Sequence, residues 1–514
     1  MFCNALTENE RVYQMLIKAS MLIVFFAVMV SVGIYFRKHT GDVDSFLHGG
    51  RSVGPWLSAF AYGTTYFSAV VFVGYAGQFG WRFGISATWI GLGNAIIGSM
   101  MTWIVLGNRT RLMTRHIGSA TMPDFFGIRY GSDALKIAAS MVVFIFLIPY
   151  TASLYNGLSR LFAMAFNVDF TVCIVLMAVL TGVYVIAGGY VATAVNDVIQ
   201  GVIMIIGIIA IIAAVLGSNG GFLNSLALLA KVEGGAIPGV YASFFGPDPV
   251  GLLGVFVLTS LGTWGLPQMV QKFYAVKSES AVFQGTVIST VFAIIISGGC
   301  YFLGGFGRLF LSPEQQLAVG FDAIIPTMMM GFSDTLIGLT VLLVLSASMS
   351  TLSSLVMTSA STLTLDVLKG HIIKEMDGKK QLTVIRILIT VFVAISASIA
   401  AIQYKQNITY IAQLMGISWG ALAGSFLAPF LYGLFWKRTS RIAVWVNLIF
   451  STAFMTANML FRSSFPALLQ SPINAGAFAM ILGMIIVPLI SILTPAPDKK
   501  IVEHCFKAYD VRAK

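Results

Sequence analysis

Charge is what this chain has least of. Only 10% of its 514 residues are Asp, Glu, Lys or Arg. Ordinary soluble domains carry about a quarter, so the shortage excludes a soluble fold. Cysteine and histidine are scarce too. Cys3, Cys173, Cys300 and Cys505 stand far apart with no metal or redox spacing, and read as unpaired small apolar residues. His39, His48, His116, His371 and His504 are dispersed over expected loops and the tail. No grouping of histidine, acid and nucleophile arises at membrane depth, which argues against an enzyme.

Apolar surface is what the chain has in excess, at 57% hydrophobic residues and a mean hydropathy of +0.88. About thirteen apolar runs approach twenty residues, enough to cross a hydrocarbon core of roughly 30 Å. They are expected near 15–36, 55–80, 84–107, 137–163, 168–187, 190–217, 251–275, 281–309, 334–365, 384–403, 407–436, 441–462 and 472–493. The first ends in Tyr35-Phe-Arg-Lys-His39, an order that reads as a retained helix rather than a cleaved leader. One all-α polytopic membrane domain, set in a lipid bilayer, accounts for the whole length. Segment 366–383 reads as a charged loop, 218–250 and 310–333 as long connections, and 494–514 as a tail.

The net charge of +11 does not point to a nucleic-acid partner, because most of the basic residues fall in alternate connections. These include Arg37, Lys38 and Arg51, then Arg109, Arg111 and Arg115, then Lys272 and Lys277, then Lys369, Lys374, Lys379 and Lys380. That asymmetry predicts an N-terminus outside and a C-terminus inside. No obligatory protein partner is evident.

Two runs are poor uniform helices. The first contains Pro55, Gly63, Gly74, Gly77 and Gly80, and the other Gly251, Gly254, Gly262, Gly265 and Pro267. Counted from the second span, they open two successive five-helix sets, 55–217 and 251–436. Interrupted segments at matching positions of two halves point to a transporter binding site, although glycine also permits close helix packing. A third feature is the ridge Ser346-Ala-Ser-Met-Ser350-Thr-Leu-Ser353-Ser354. Ala347, Ser350, Thr351 and Ser354 share one helix face, with Ser353 on its flank. Hard alkali cations take several oxygen ligands, which hydroxyls and carbonyls supply without a permanent charge. A lone serine or threonine often only bonds its own helix. Asp197 is the acid nearest membrane depth, read either as a functional carboxylate or as a helix cap at the interface.

These residues in order resemble the sodium:solute symporter family, which includes bacterial proline, sialic-acid and sugar transporters and the human sodium–glucose carriers. The resemblance runs over nearly the full length. It is carried by Arg51-Ser-Val-Gly-Pro-Trp56, Gly188-Gly189-Tyr190 with Asp197 and Gln200, Met349-Ser-Thr-Leu-Ser-Ser354, and Gly433-Leu-Phe-Trp-Lys-Arg438. It implies a leucine-transporter-type fold of inverted five-helix repeats, with one extra helix before them (15–36) and two after (441–493). It also implies sodium-driven uptake of a small organic solute across the cell membrane by alternating access. The shared sodium site of the family falls on Thr64, Phe67, Ala347, Ser350 and Thr351. A second sodium, which some members bind, falls on Asp197, Ser350, Ser353 and Ser354, so that one or two ions couple each cycle.

The solute residues depart from known members. Sugar carriers place Asn and Gln where Tyr66 and Val71 stand here, and proline carriers have Asp at the first of these positions. Proline carriers also have Trp and Tyr where Thr259 and Thr263 align. The arginine of sialic-acid carriers has no counterpart, since Arg160 lies near the outer end. The pocket is expected to draw on Thr65, Tyr66, Ser68, Gln78, Thr259, Thr263, Trp264 and Gln268. Aromatic faces with uncharged hydrogen-bonding groups suit an amino acid or similar compact polar solute, with sugar or carboxylate uptake as alternatives. A proton-coupled carrier using Asp197, and a sensor that keeps the transporter shell, are rival readings.

Overall fold

The computed structural model describes residues 8–36, 43–235, 237–369, 371–373, 375–406 and 411–513. Cys3, Arg37, Lys38, His39, Lys374 and the start of the expected span 407–436 lie outside the described residues. No strand occurs among the described residues, and eleven helices are long and apolar enough to cross a membrane.

The chain opens with α1 (Glu8–Phe36) and the short α2 (Val43–His48). α3 (Pro55–Tyr66) starts on a proline, whose missing N–H is harmless in a first turn. It stops where Phe67 turns extended at φ −107°, ψ 105°. Beyond Ser68 and Ala69 the helix resumes through π-type turns, Val70–Tyr75, into α4 (Ala76–Phe83). The expected span 55–80 is thus two half-helices. Gly84, at φ +64°, turns the chain into α5 (Thr88–Gly93), which runs on through further π-type turns into α6 (Asn108–His116). After α7 (Met122–Tyr130) and α8 (Asp133–Phe166), the expected spans 168–187 and 190–217 are two helices joined at a kink within the continuous run α9 (Phe170–Ser218). It bends at Gly189, whose φ +59°, ψ −175° favours a residue without a side chain.

Residues 218–250 contain α10 (Phe222–Ala230). The second interrupted helix is α11 (Pro249–Gly262) and α12 (Pro267–Tyr274), parted by the turn at 263–266. α13 (Glu279–Ala293) and α14 (Gly299–Gly304) precede the connection 310–333, which holds α15 (Pro313–Val319) and α16 (Ile324–Met329). Then follow α17 (Asp334–Thr362), α18 (Gly378–Gln406), α19 (Ile411–Phe435), α20 (Arg441–Leu460), α21 (Pro472–Leu493) and α22 (Lys499–Phe506).

α3 packs on α9, α13 and α17, while α19 packs on α8 and α21. The last pair meets backbone to backbone: a Cβ on Gly420 would lie 2.7 Å from the Gly476 Cα. Such approach needs small residues. Phe283, Val287, Val291 and Ile294 instead form an exposed apolar stripe at helical spacing on α13 and the turn beyond it. That face is built for hydrocarbon rather than water. The Gly433–Arg438 motif is a helix stop: Arg129 donates to the Gly433 and Trp436 carbonyls at 3.0 and 3.1 Å, satisfying acceptors that a helix end leaves free.

Two expectations from the sequence need correction, and a third segment was left undescribed by it. Asp366 is not in a charged loop; it is buried on the π-type extension of α17 and accepts from the Thr121 hydroxyl at 2.6 Å. Lys272 is not a peripheral basic residue; it is 5% exposed within α12. The segment 494–514, read only as a tail, packs back on the bundle through α22 and the turns after it, with the Arg109 guanidinium held 4.2 Å from the Phe435 ring and 4.7 Å from the Tyr509 ring. In each case a tertiary partner took up a polar group that composition alone assigned to water.

Asp322, in the connection before α16, is buried, 3.9 Å from Arg160, and accepts the Ile411 N–H at 3.2 Å. Burial pushes its carboxyl up to about 6, against the opposing pull of Arg160. The folded protein then binds more protons than the unfolded chain between about pH 4 and 6. Stability is therefore greatest at the acid side of that window and falls as pH rises through it, by up to about 3 kcal/mol. Melting curves of wild type across this range should show that fall, and Asp322→Asn should flatten it. Equal slopes would refute the assignment.

Candidate cation and solute site

The interruption of α3 frees backbone oxygens. In an unbroken helix the Val71 N–H would bond the Phe67 carbonyl; here it donates to Ser68 at 3.0 Å, as does the Phe72 N–H at 3.2 Å. The hydroxyl ridge of α17 lies directly against this break. The Thr351 Oγ1 is 3.3 Å from the Thr64 carbonyl, 3.1 Å from that of Thr65 and 3.0 Å from that of Ala347. Ser350 donates to the Thr64 hydroxyl at 2.7 Å. Thr64, Ala347, Ser350 and Thr351 therefore meet, all buried, and Phe67 is the residue at which α3 ends. Closely grouped carbonyl and hydroxyl oxygens in a dry interior are a donor set for a hard cation.

One turn further along α17 the partners change. Ser354 shares a hydrogen bond with Thr65 at 2.9 Å and accepts from the Lys272 ammonium at 2.8 Å. Ser353 bonds back to the Ser350 carbonyl at 2.8 Å. Asp197 is 1% exposed, so it is no interfacial cap. It lies near Thr64, Ser350 and Lys272, yet neither carboxylate oxygen has a hydrogen-bond partner among the described residues. Thr65, expected in the solute pocket, thus belongs to this second cluster.

The other expected solute residues divide. Tyr66 donates to the Thr259 carbonyl at 2.7 Å, and its ring stacks near Phe67 and Trp419, at 4.2 and 6.2 Å between centroids. Thr263 and Trp264 reach across to the Gly98 and Ile97 carbonyls, each at 3.0 Å. Those carbonyls lie in π-type turns, where helical bonding is irregular. Both side chains therefore hold the α11–α12 turn against its neighbour. Thr259 bonds its own helix at Val255, at 2.9 Å. Gln268 lines a small cavity with Lys272, Ser354 and Tyr190. Gln78 is ten residues beyond Ser68, roughly 15 Å along the helical path, and is not brought to the break.

Two residues escaped the sequence reading. Trp419 on α19 stands edge-on to Tyr150 of α8, with centroids 5.9 Å apart at 84°. The Tyr150 hydroxyl has Ser68 and Trp419 as its polar neighbours, yet neither it nor the buried Trp419 Nε1 makes a hydrogen bond among the described residues. A buried tyrosine or tryptophan usually satisfies its polar tip. A pair left open beside a broken helix is available to a ligand. Neither sits in a motif, so only the unusual presence of such groups in long apolar runs could have flagged them.

The profile of the sodium:solute symporter family matches residues 46–449. Sodium/proline symporter 2 of Staphylococcus saprophyticus is 27% identical over 438 residues, covering 84% of this chain and 83% of that protein. The sodium/proline symporter of Staphylococcus aureus is 29% identical, covering 82% and 81%. A substrate-bound, outward-open Na+-coupled sialic acid symporter superposes with a TM-score of 0.72 at 18% identity, over 94% of this chain and 99% of its own. A nucleobase–cation symport-1 family transporter with bromovinylhydantoin bound gives 0.53 at 12% identity, over 90% and 98%.

Proposed function

Because the chain belongs to the sodium:solute symporter family, we propose that it is a multi-pass plasma-membrane symporter that draws a small zwitterion, an amino acid or a solute of like size, into the cell on the sodium gradient. Sodium binds between the Thr64 and Phe67 carbonyls of the broken α3 and the Ala347 carbonyl, Ser350 and Thr351 hydroxyls of α17. The observation that carries this reading is the convergence of three carbonyls on the Thr351 hydroxyl. An ion there ties α3 to α17 and favours the outward-open form. Solute then binds better, because coupling between two sites is reciprocal. The membrane potential adds about 2.3 kcal/mol per charge per 100 mV.

The architecture that fits is thirteen crossings, obtained by dividing the long helix Val70–His116 at Gly84 and counting Phe170–Val183 beside the eleven. Residues 55–217 and 251–436 form inverted repeats, with their breaks at Phe67 and at the 263–266 turn. Residues 15–36 precede them, 441–493 follow, the N-terminus is outside and 494–514 is cytoplasmic. The solute lies against Tyr66, Trp419 and Tyr150, with Ser68 and Thr259 beside it.

Proteoliposomes test this. With an inward sodium gradient, accumulation of a responsive solute should exceed the choline control by about tenfold, a gain well within the driving force above. Proline, the solute of the staphylococcal relatives, is the first probe, within a panel of neutral amino acids, sugars and carboxylates. Uptake indifferent to sodium would end the proposal; uptake driven instead by a pH gradient would make Asp197 a proton carrier. Trp419→Ala should raise the half-saturating solute concentration about tenfold, since a lost aromatic contact costs roughly 0.5–1.5 kcal/mol beyond its area. An unchanged value would move the solute elsewhere.

A further inference from the structure

Lys272 is a buried ammonium for which the sodium reading above provides no task. Its Nζ donates to Ser354 at 2.8 Å and lies 5.2 Å from the centre of the Tyr190 ring. Ser354 is held in turn by Thr65 at 2.9 Å. Asp197, 1% exposed and with both carboxylate oxygens unpartnered among the described residues, is the acid whose charge acts on Lys272, from beyond ion-pair distance. A hydroxyl oxygen, an aromatic face and a carboxylate are the groups that stabilise a desolvated cation. A charge so buried persists only when compensated.

Ser354 and Asp197 are also the residues to which a second sodium was assigned. Both cannot serve two cations at once: one carboxylate compensates one positive charge, and the Ser354 oxygen already accepts from the ammonium. We propose that Lys272 is a tethered cation standing in place of a second sodium, which sets this carrier at one sodium per transport cycle. The proposal rests on the sodium-coupled reading. It makes Lys272 a stoichiometry-determining residue that need not touch the solute.

Equilibrium binding of radiolabelled sodium to the purified full-length protein, without solute, tests it. Wild type should bind one sodium, and Thr351→Ala should weaken that binding about tenfold or more. Lys272→Met exposes the Asp197 carboxylate and should bind two, while Lys272→Met combined with Asp197→Asn should return to one. Two sodium ions in wild type, one whose affinity Thr351→Ala leaves unchanged, or one in a monodisperse Lys272→Met protein would overturn the inference. If Lys272→Met aggregates, the wild-type count and its response to Thr351→Ala decide. No sodium bound to wild type would remove the symport reading itself, and this inference with it, whereas a count of two removes the inference alone.

Discussion

Replacing Ser350 and Thr351 together by alanine is expected to abolish sodium-driven uptake at ordinary sodium concentrations. In the proposed site each hydroxyl offers an oxygen to the ion, and an interaction of this kind with a charged group is worth about 1.5–3 kcal/mol. Losing both therefore costs about 3 kcal/mol or more, or a rise in half-saturating sodium of at least about a hundredfold. The measurement is the sodium dependence of uptake in proteoliposomes at fixed solute. Thr351 also bonds the Ala347 carbonyl of its own helix at 3.0 Å, a role many membrane threonines have and no more. Thr351→Ser is the control, because it keeps the hydroxyl for the ion and for the Ala347 carbonyl and loses only the methyl. Sodium affinity should recover in Ser350 with Thr351→Ser and collapse in the double alanine protein. Uptake in the double variant with wild-type sodium dependence would place the ion elsewhere.

The second large effect is on stability. Asp197→Asn leaves the Lys272 ammonium buried with its counter-charge gone, and Lys272→Met does the same to the carboxylate. Removing one member of a buried pair costs about 3–5 kcal/mol, whereas removing both can be nearly neutral. Each single variant should therefore melt well below wild type in detergent, and the double variant should recover at least half of the loss. The recovery is the coupling energy between the two charges. Additive losses would show that Lys272 is stabilised by Ser354 and Tyr190 without help from Asp197.

Most of the helical frame was legible because crossing a bilayer demands long apolar runs, whatever surrounds them. Met15–Phe36, Pro472–Leu493 and the connection 310–333 follow that rule closely. The division at Gly188-Gly189 was legible too: the expected spans 168–187 and 190–217 part where Gly189 bends the 49-residue run. Less legible was the connection between 84 and 133, where α5, α6 and α7 follow one another. The meeting of Thr64 with Ser350 and Thr351 could be anticipated, since helical spacing puts the hydroxyls on one face and proline and glycine mark the broken partner. The solute lining could not, because a threonine such as Thr263 looks the same in sequence whether it faces a ligand or a free carbonyl at Gly98. Tyr150 and Trp419 were missed for the converse reason, being ordinary core residues until their polar tips are found without partners.

Composition and periodicity alone determined that this chain lives in a membrane, that two of its helices are interrupted, and that α17 presents oxygens along one face. These follow from the lipid's thickness and the geometry of a single helix, both local constraints. Only the tertiary structure decided that Lys272 enters the core, that it donates to Ser354, and that Asp197 is buried nearby. Those facts depend on how separate helices pack, and a buried charge shows its meaning only when its neighbours are known.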